Sequence, residues 1–316
     1  MSPIAIGERQ VPAAKAWRAD TVDAMQKWFH PLPARSLAVL DGMVQDVRRR
    51  PRPTPEIFLT DSQRAACGDD LAPVSQAIER GRGFAIVSVP AARYSRPELT
   101  LLYWLLGQLL GRPFEQNAQG TMLYDVKDMG QDLSKGARYS VTSYETSFHT
   151  DNSFGSEVLD CVGLLCLQDA KSGGLSQVMS GYAVFDELAK THPAELEVLC
   201  QPFHVDRRGG LRPGETATAF FPVMEWRGDE LLFRYLRHWI QAGHEKVGQP
   251  LAPAQVKALD TLDEVLKNRE LVAEFYLKPG DIYFINNRWI LHNRTAFEDW
   301  PEPERKRHLV RLWLQR

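Results

Sequence analysis

Apolar residues recur at helical spacing in several parts of this chain. Residues 34–47 place Leu37, Leu40 and Val44 on one stripe, and closely spaced prolines after them predict that the helix ends there. Residues 97–110 are apolar nearly all round, so we predict a helix that packs against a sheet. Weaker patterns predict further helices at 71–80, 181–190 and 253–268.

From about residue 121 the pattern changes to short apolar or alternating runs that are separated by turn residues. These runs, with one earlier example, predict strands at 83–89, 121–126, 138–144, 146–150, 159–168, 175–179, 202–207, 219–226, 230–234, 272–277, 281–286 and 306–314. Many short strands with helices outside them are typical of a double-sheet architecture. The predicted fold class is therefore α+β, with a double-stranded β-helix (jelly roll) core and flanking α-helices.

The length of 316 residues is compatible with one large domain. We predict a single domain over 1–316, in which residues 1–80 form a helical lead and residues 81–316 form the core. The lead consists of an irregular start followed by the helices predicted at 34–47 and 71–80.

Composition and charge exclude several classes of protein. The chain is 44% hydrophobic and has a formal net charge of −2, so neither nucleic acid nor an anionic membrane is an expected partner. No run of apolar residues approaches the length of a membrane span. The four cysteines lack metal-site spacing, which predicts buried free thiols and a reducing, cytoplasmic location. A homo-oligomer is compatible with the sequence.

Two histidines and one aspartate form the most informative pattern. His149 and Asp151 lie two residues apart, a spacing that puts both side chains on one face of a strand. His292 follows another predicted strand, just beyond its polar rim. Such a triplet also occurs by chance, but two imidazoles and a carboxylate on one face of a metal are the facial triad of non-haem Fe(II) oxygenases.

The last predicted strand adds two cations. Residues 307, 309, 311 and 313 share one face, so Arg307 and Arg311 point the same way. If that face is inside the barrel, each guanidinium needs an anion, because an unpaired buried charge is costly. A solvated face is the alternative for the strand taken alone.

Together these residues resemble the taurine-dioxygenase-like branch of the Fe(II)/2-oxoglutarate-dependent oxygenases, which includes clavaminate-synthase-like proteins. The resemblance covers about residues 80–316 and rests on F-H-T-D-N-S-F at 148–154, V-G-L-L-C-L-Q-D-A-K-S-G-G-L-S at 162–176, G-D-I-Y-F-I-N-N at 280–287, L-H-N-R-T-A-F-E-D-W at 291–300 and R-H-L-V-R-L-W-L at 307–314.

The resemblance implies a role for each matching residue. His149, Asp151 and His292 are the implied iron ligands. Arg307 is the implied partner of the distal carboxylate of 2-oxoglutarate, for which a planar guanidinium is suited. Ser176 matches a position that contacts this co-substrate, and Arg311 a position that reaches either the co-substrate or an anionic primary substrate.

The implied reaction consumes 2-oxoglutarate and O₂, releases succinate and CO₂, and attacks an unactivated C–H bond. Hydroxylation of a small polar, amino-acid-like anion is the leading hypothesis. Desaturation, epoxidation or cyclisation in natural-product biosynthesis would use the same cofactors, and a non-catalytic metal- or oxoglutarate-binding protein is the alternative from another class. A halogenase is disfavoured, since a halide needs the position of Asp151.

Three further residues are candidates for lining the substrate pocket. Arg138 and Tyr139 enter the predicted strand before the triad, and strand-edge residues are the alternative. Asn152 follows Asp151, and a turn-forming role is favoured over a role in the pocket by about two to one. For Arg311, water or a nearby acid such as Glu145 or Asp160 is the expected partner when no substrate anion is present.

Overall fold

The computed structural model describes residues 9–117, 119–131, 141–208 and 214–316. The α-helices are α1 (Ala34–Arg49), α2 (Asp61–Glu79), α3 (Arg96–Leu110), α4 (Gly181–Thr191), α5 (Pro193–Leu199), α6 (Arg237–Lys246) and α7 (Pro253–Val265). The strands are β1 (Phe29–Pro31), β2 (Phe84–Ser88), β3 (Arg112–Phe114), β4 (Leu123–Val126), β5 (Cys161–Gln168), β6 (Ser172–Gly173), β7 (Ser176–Ser180), β8 (Pro202–Asp206), β9 (Thr218–Pro222), β10 (Met224–Arg227), β11 (Glu230–Phe233), β12 (Val272–Phe275), β13 (Asp281–Asn286), β14 (Ile290–Arg294), β15 (Phe297–Glu298) and β16 (His308–Gln315).

Two sheets form the core. The larger sheet has the order β1-β2-β13-β5-β16-β3, and β4 also pairs with β16. The smaller sheet has the order β12-β7-β14. Strand β13 is buried along its whole length, which explains its continuous apolar sequence. The predicted jelly-roll core with flanking helices is confirmed.

Alternation along the strands of the larger sheet divides the core into two clusters. Val162 of β5 and Trp313 of β16 face the smaller sheet and belong to the same cluster as Val178 of that sheet. Leu165 and Leu312, on the other face, pack with α1, α2 and α3. This alternation places every second residue of β16 inside the barrel.

Helix α3 packs closely on the outer face of the larger sheet, as its all-round apolar sequence predicts. Ten of its fifteen residues are buried. A Cβ built on Gly107 would lie 2.4 Å from Cδ2 of Leu312, so the absence of a side chain permits this close contact.

The prediction for the second helix was too short at its start. The structure begins α2 at Asp61, ten residues before the predicted 71–80 (71 − 61 = 10). Thr60 and Gln63 form a capping box, in which the Gln63 backbone donates to the Thr60 hydroxyl and the Thr60 backbone donates to Gln63 Oε1. This T-x-x-Q signal marks a helix start even where the apolar periodicity is weak.

The strands nearest the predicted metal ligands differ from the prediction. Residues 146–150 form no regular strand, and His149 makes an isolated antiparallel bridge to His292. His292 lies inside β14, not beyond a strand end. In the predicted strand 138–144, residues 141–144 are a turn and the remainder lies outside the described residues. The predicted strand 219–226 is two strands, β9 and β10.

The cysteine prediction agrees with the structure. Cys67, Cys161 and Cys166 are buried, Cys200 is half-buried, and all four are free. Within the described ranges, no helix has both the length and the apolar character of a membrane span.

Candidate metal centre and co-substrate pocket

His149, Asp151 and His292 come together at one end of the barrel. Each offers one ligand atom, and these atoms all lie within 4.8 Å of one another. Asp151 Oδ1 is 3.6 Å from Nε2 of His149 and 3.9 Å from Nε2 of His292. Two imidazole nitrogens and one carboxylate oxygen are the donor set of a non-haem Fe(II) facial triad.

Nε2 of each imidazole faces the Asp151 carboxylate. Nδ1 of His149 lies 2.8 Å from the Ser147 carbonyl, which can only accept, so Nδ1 carries a proton and Nε2 is the nitrogen directed at the proposed metal position. Burial, reinforced by the neighbouring His149, lowers the pKa of His292 to about 3. His292 is therefore neutral near pH 7 and retains a lone pair for a metal.

The backbone at Asp151 is fixed by a side chain from the end of β13. Asn287 Oδ1 accepts from the Asp151 amide at 2.8 Å, and Asn287 Nδ2 donates to the Asp151 carbonyl at 2.9 Å. Asn152 follows with a φ of 51°, and its carbonyl accepts from the Gly155 amide at 3.0 Å. A turn, and not a continuous strand, therefore brings Asp151 to the histidines, and Asn152 has a turn-forming role.

The Asp151 carboxylate is buried and ionised. Burial by itself would raise its pKa, but the Arg311 guanidinium leads the contacts that outweigh burial and hold the pKa of Asp151 well below its usual range. Arg311 Nη1 lies 3.1 Å from Asp151 Oδ2. The partner of Arg311 is thus Asp151; the expectation of Glu145 or Asp160 was wrong, and Asp160 pairs with Arg288.

Arg307 provides a buried cation near the start of β16. The residue is 5% exposed, and its Nη1 has no hydrogen-bond partner among the described residues. Burial lowers the pKa of Arg307 to about 10, so the group is still charged at neutral pH. A buried guanidinium with an unmet donor fits an anionic ligand, because leaving such a charge unpaired is costly.

A second buried arginine lies beside Arg307. Arg294 donates to the carbonyls of Thr142 and Tyr144, which are neutral partners. The guanidinium carbons of Arg294 and Arg307 lie 4.6 and 5.1 Å from the ring centroid of Phe297. Burial, and then the charge of Arg307, lowers the pKa of Arg294 to about 9. Two buried cations therefore lie around one aromatic ring.

Ser176 borders the same pocket. It pairs with Arg294 across β7 and β14, while Val178 pairs with His292, so these side chains share the inner face of the smaller sheet. The preceding glycines allow the close approach. Gly174 has a φ of 69°, and a Cβ on it would lie 3.3 Å from Arg307 Nε.

Sequence reasoning identified the triad but missed three residues that the structure adds to the site. Asn287, Arg294 and Trp313 all contact the metal ligands or the arginine pocket. The signal for Arg294 was its position two residues after His292, which would share a face once that segment is recognised as a strand. Arg138 and Tyr139 lie outside the described residues.

The fold and site define a jelly-roll protein with two histidines and a carboxylate arranged for a metal. A family profile described as "Taurine catabolism dioxygenase TauD, TfdA family" matches residues 51–313. The chain belongs to this family. It is accordingly an Fe(II)- and 2-oxoglutarate-dependent dioxygenase, and the enzyme class and cofactors predicted from the sequence are confirmed.

Two characterised relatives resemble the chain in sequence. FR-33289 synthase of Streptomyces rubellomurinus (strain ATCC 31215) is 26% identical over 324 aligned residues, which cover 98% of this chain and 92% of that protein. Taurine hydroxylase-like protein SAT17 of Stachybotrys chartarum (strain CBS 109288 / IBT 7711) is 28% identical over 259 residues, which cover 78% of this chain and 64% of that protein.

Solved structures share the fold at lower identity. A crystal structure of an asparagine oxygenase with Fe(II), 2S,3S-3-hydroxyasparagine and succinate superposes with a TM-score of 0.67 at 15% identity, covering 91% of this chain and 93% of that one. The non-haem iron oxygenase OrfP with Fe and alpha-ketoglutaric acid gives 0.67 at 17% identity, with the same coverage.

Proposed function

We propose that His149, Asp151 and His292 hold the iron and that Arg307 binds the distal carboxylate of 2-oxoglutarate. The observation that carries this assignment is the buried triad together with the unmet Nη1 donor of Arg307. Ser176 and Arg294 border the Arg307 pocket and complete the proposed co-substrate site.

The iron, when bound, supplies the oxidative chemistry that couples decarboxylation of 2-oxoglutarate to insertion of oxygen into a C–H bond. The protein's own residues bind and orient. Arg307 fixes one end of the co-substrate by charged hydrogen bonds, and the two imidazoles and the ionised Asp151 present three donors on one face. The buried walls exclude water, which strengthens these electrostatic contacts.

We propose hydroxylation of a small polar metabolite of amino-acid type. The support comes from the fold neighbours, an asparagine oxygenase with 3-hydroxyasparagine and an OrfP structure with (3S)-hydroxy-L-Arg. Bound 2-oxoglutarate would already neutralise part of the positive charge of Arg294 and Arg307. An anionic substrate fits beside these two residues only if positive charge remains there after 2-oxoglutarate has bound. Arg311 adds no support for the anion, because Asp151 already pairs with it.

Turnover tests this function directly. We expect the protein, supplied with Fe(II), ascorbate, 2-oxoglutarate and a panel of amino acids and their derivatives, to release succinate in step with a product one oxygen atom heavier. Mass spectrometry of the products separates hydroxylation from desaturation or ring closure, which remove two hydrogens. Absence of succinate with every candidate, from iron-loaded protein, would favour the non-catalytic binding protein instead.

We also propose that residues 1–316 are one domain. Helices α1 and α2 of the lead share a core cluster with α3 and the larger sheet, and β1 pairs with β2. Deleting residues 1–80 should therefore expose the outer face of that sheet and yield protein without near-UV circular dichroism or a cooperative melt. A soluble 81–316 fragment that binds Fe(II) like the full chain would make the lead a separate unit.

A further inference from the structure

The two oxygens of the Asp151 carboxylate face different partners. Oδ1 lies 3.6 and 3.9 Å from Nε2 of the two triad histidines. Oδ2 accepts from Trp313 Nε1 at 2.8 Å and lies 3.1 Å from Arg311 Nη1. Protein donors therefore bind Oδ2, the carboxylate oxygen that points away from the proposed metal position.

The alternation of β16 brings both donors to the same oxygen. Arg311 and Trp313 are two residues apart on the strand, so both side chains lie on the inner face. The ring of Trp313 stacks on Phe114 with centroids 6.5 Å apart, which fixes the direction of its N–H.

Gln116 holds Arg311 from the other side. Its Oε1 accepts from Arg311 Nε at 2.8 Å, and its Nε2 donates to the carbonyls of Arg311 and Met122 at 2.9 and 2.8 Å. The Gln116 side chain is buried, and its backbone amide donates to the Thr121 carbonyl. Arg311 is thus oriented at its Nε while its Nη1 reaches Asp151.

We propose that Arg311, Trp313 and Gln116 are positioning residues that restrict Asp151 to binding the metal through Oδ1 alone. This inference rests on the proposed function of the triad. A carboxylate that binds Fe(II) through one oxygen would leave coordination positions open for the co-substrates. A carboxylate free to bind through both oxygens would take one of those positions.

The assignment changes the role of Arg311. Because its Nη1 and Nε are committed to Asp151 and Gln116, Arg311 orients a ligand of the metal and does not serve as the recognition group for the primary substrate. Any anion of that substrate is bound by other residues.

Metal titration of point variants tests the proposal. Trp313→Phe removes the neutral donor to Asp151 Oδ2, and Arg311→Met removes the charged donor to the same oxygen. Each should weaken anaerobic binding of Fe(II) by roughly 10- to 100-fold, as loss of an outer partner of a metal ligand typically does. Gln116→Met should show a smaller loss, and Arg311→Lys, which keeps a cation and one donor, should recover part of the affinity.

A spectroscopic readout separates positioning from general destabilisation. The visible absorption of bound Co(II) reports the ligand set and the geometry around the metal, and we expect it to change in Trp313→Phe and Arg311→Met. Trp104→Phe is the matched control, since this buried tryptophan also donates one hydrogen bond, to the Ile57 carbonyl, but lies in the outer cluster. It should leave Fe(II) affinity and the Co(II) spectrum unchanged.

Three results would overturn the proposal. Tighter Fe(II) binding by Arg311→Met would mean that Arg311 merely competes with the metal for Asp151. If Trp313→Phe kept the wild-type Fe(II) affinity and Co(II) spectrum, as is expected of Trp104→Phe, Trp313 would have no positioning role. An unchanged Co(II) spectrum in every variant would refute the restriction of Asp151 to one oxygen. If Arg311→Met does not fold, Arg311→Lys and Gln116→Met decide. Wild-type protein that binds no Fe(II) through His149 and His292 would instead refute the proposed function.

Discussion

Replacing His149 or His292 with alanine is expected to abolish iron binding and turnover while the fold survives. Each imidazole supplies one of three protein donors that lie within 4.8 Å of one another. Loss of an outer partner of a metal ligand typically costs about 10- to 100-fold in metal affinity, and loss of the ligand itself should exceed that range. Iron stoichiometry after anaerobic reconstitution, together with succinate release, measures the effect.

The control for this prediction is a buried histidine elsewhere in the chain. His244 accepts from the His204 amide through Nε2 and approaches the Gln249 carbonyl through Nδ1, with no part in the triad. His244→Ala should lower thermal stability and leave iron stoichiometry intact. Full iron occupancy and activity in His149→Ala or His292→Ala would remove that residue from the assigned ligand set.

Replacing Arg307 with alanine should weaken 2-oxoglutarate binding by about 30-fold or more. Truncating one partner of a buried charged pair costs on the order of 2–5 kcal/mol, which corresponds to at least that factor in the dissociation constant. The loss should appear as a raised apparent KM for 2-oxoglutarate, with Fe(II) affinity near the wild-type value, because Arg307 provides no metal donor. Calorimetric titration of the iron-loaded protein with 2-oxoglutarate gives the affinity independently of the unknown primary substrate.

A second buried arginine provides the matched control. Arg82 is 9% exposed and contacts Asp23, Lys27 and His30, none of which belongs to the triad or to the Arg307 pocket. Arg82→Ala should destabilise the protein without changing 2-oxoglutarate affinity. If Arg311→Ala loses that affinity and Arg307→Ala does not, the roles of the two arginines are reversed.

The residue types of the site could be predicted from the sequence because they are few and their chemistry is specific. His149, Asp151 and His292 form the donor set of one metal class. Arg307 and Arg311 were predicted to face the same side, and the inner-face positions of Leu309 and Trp313 agree with that alternation. The strongly apolar segments, such as α3 and β13, were also predicted correctly, since their burial leaves no alternative pattern.

The pairing of His149 with Asp151 was predicted correctly, but the predicted strand that was the reason for it is absent. His149 and Asp151 converge through a turn fixed by Asn287, 136 residues further along the chain, and not through a regular strand. Hydrogen bonds to a distant amide override the preference of a short segment, so its conformation cannot be derived from its own residues.

The fold class, the metal-binding residue types and the enzyme class follow from the sequence alone, because periodicity and ligand chemistry are properties of the chain. Which acceptor each buried arginine contacts depends on the tertiary structure. Arg311 is paired with Asp151, while Arg307 keeps an unmet donor. Both are arginines on the same face of one extended segment, four positions apart (311 − 307 = 4), and strand alternation makes them equivalent. They differ because Gln116 and Asp151 accept hydrogen bonds from Arg311, whereas the side of Arg307 that faces Gly174 and Phe297 meets no side-chain acceptor from these two residues.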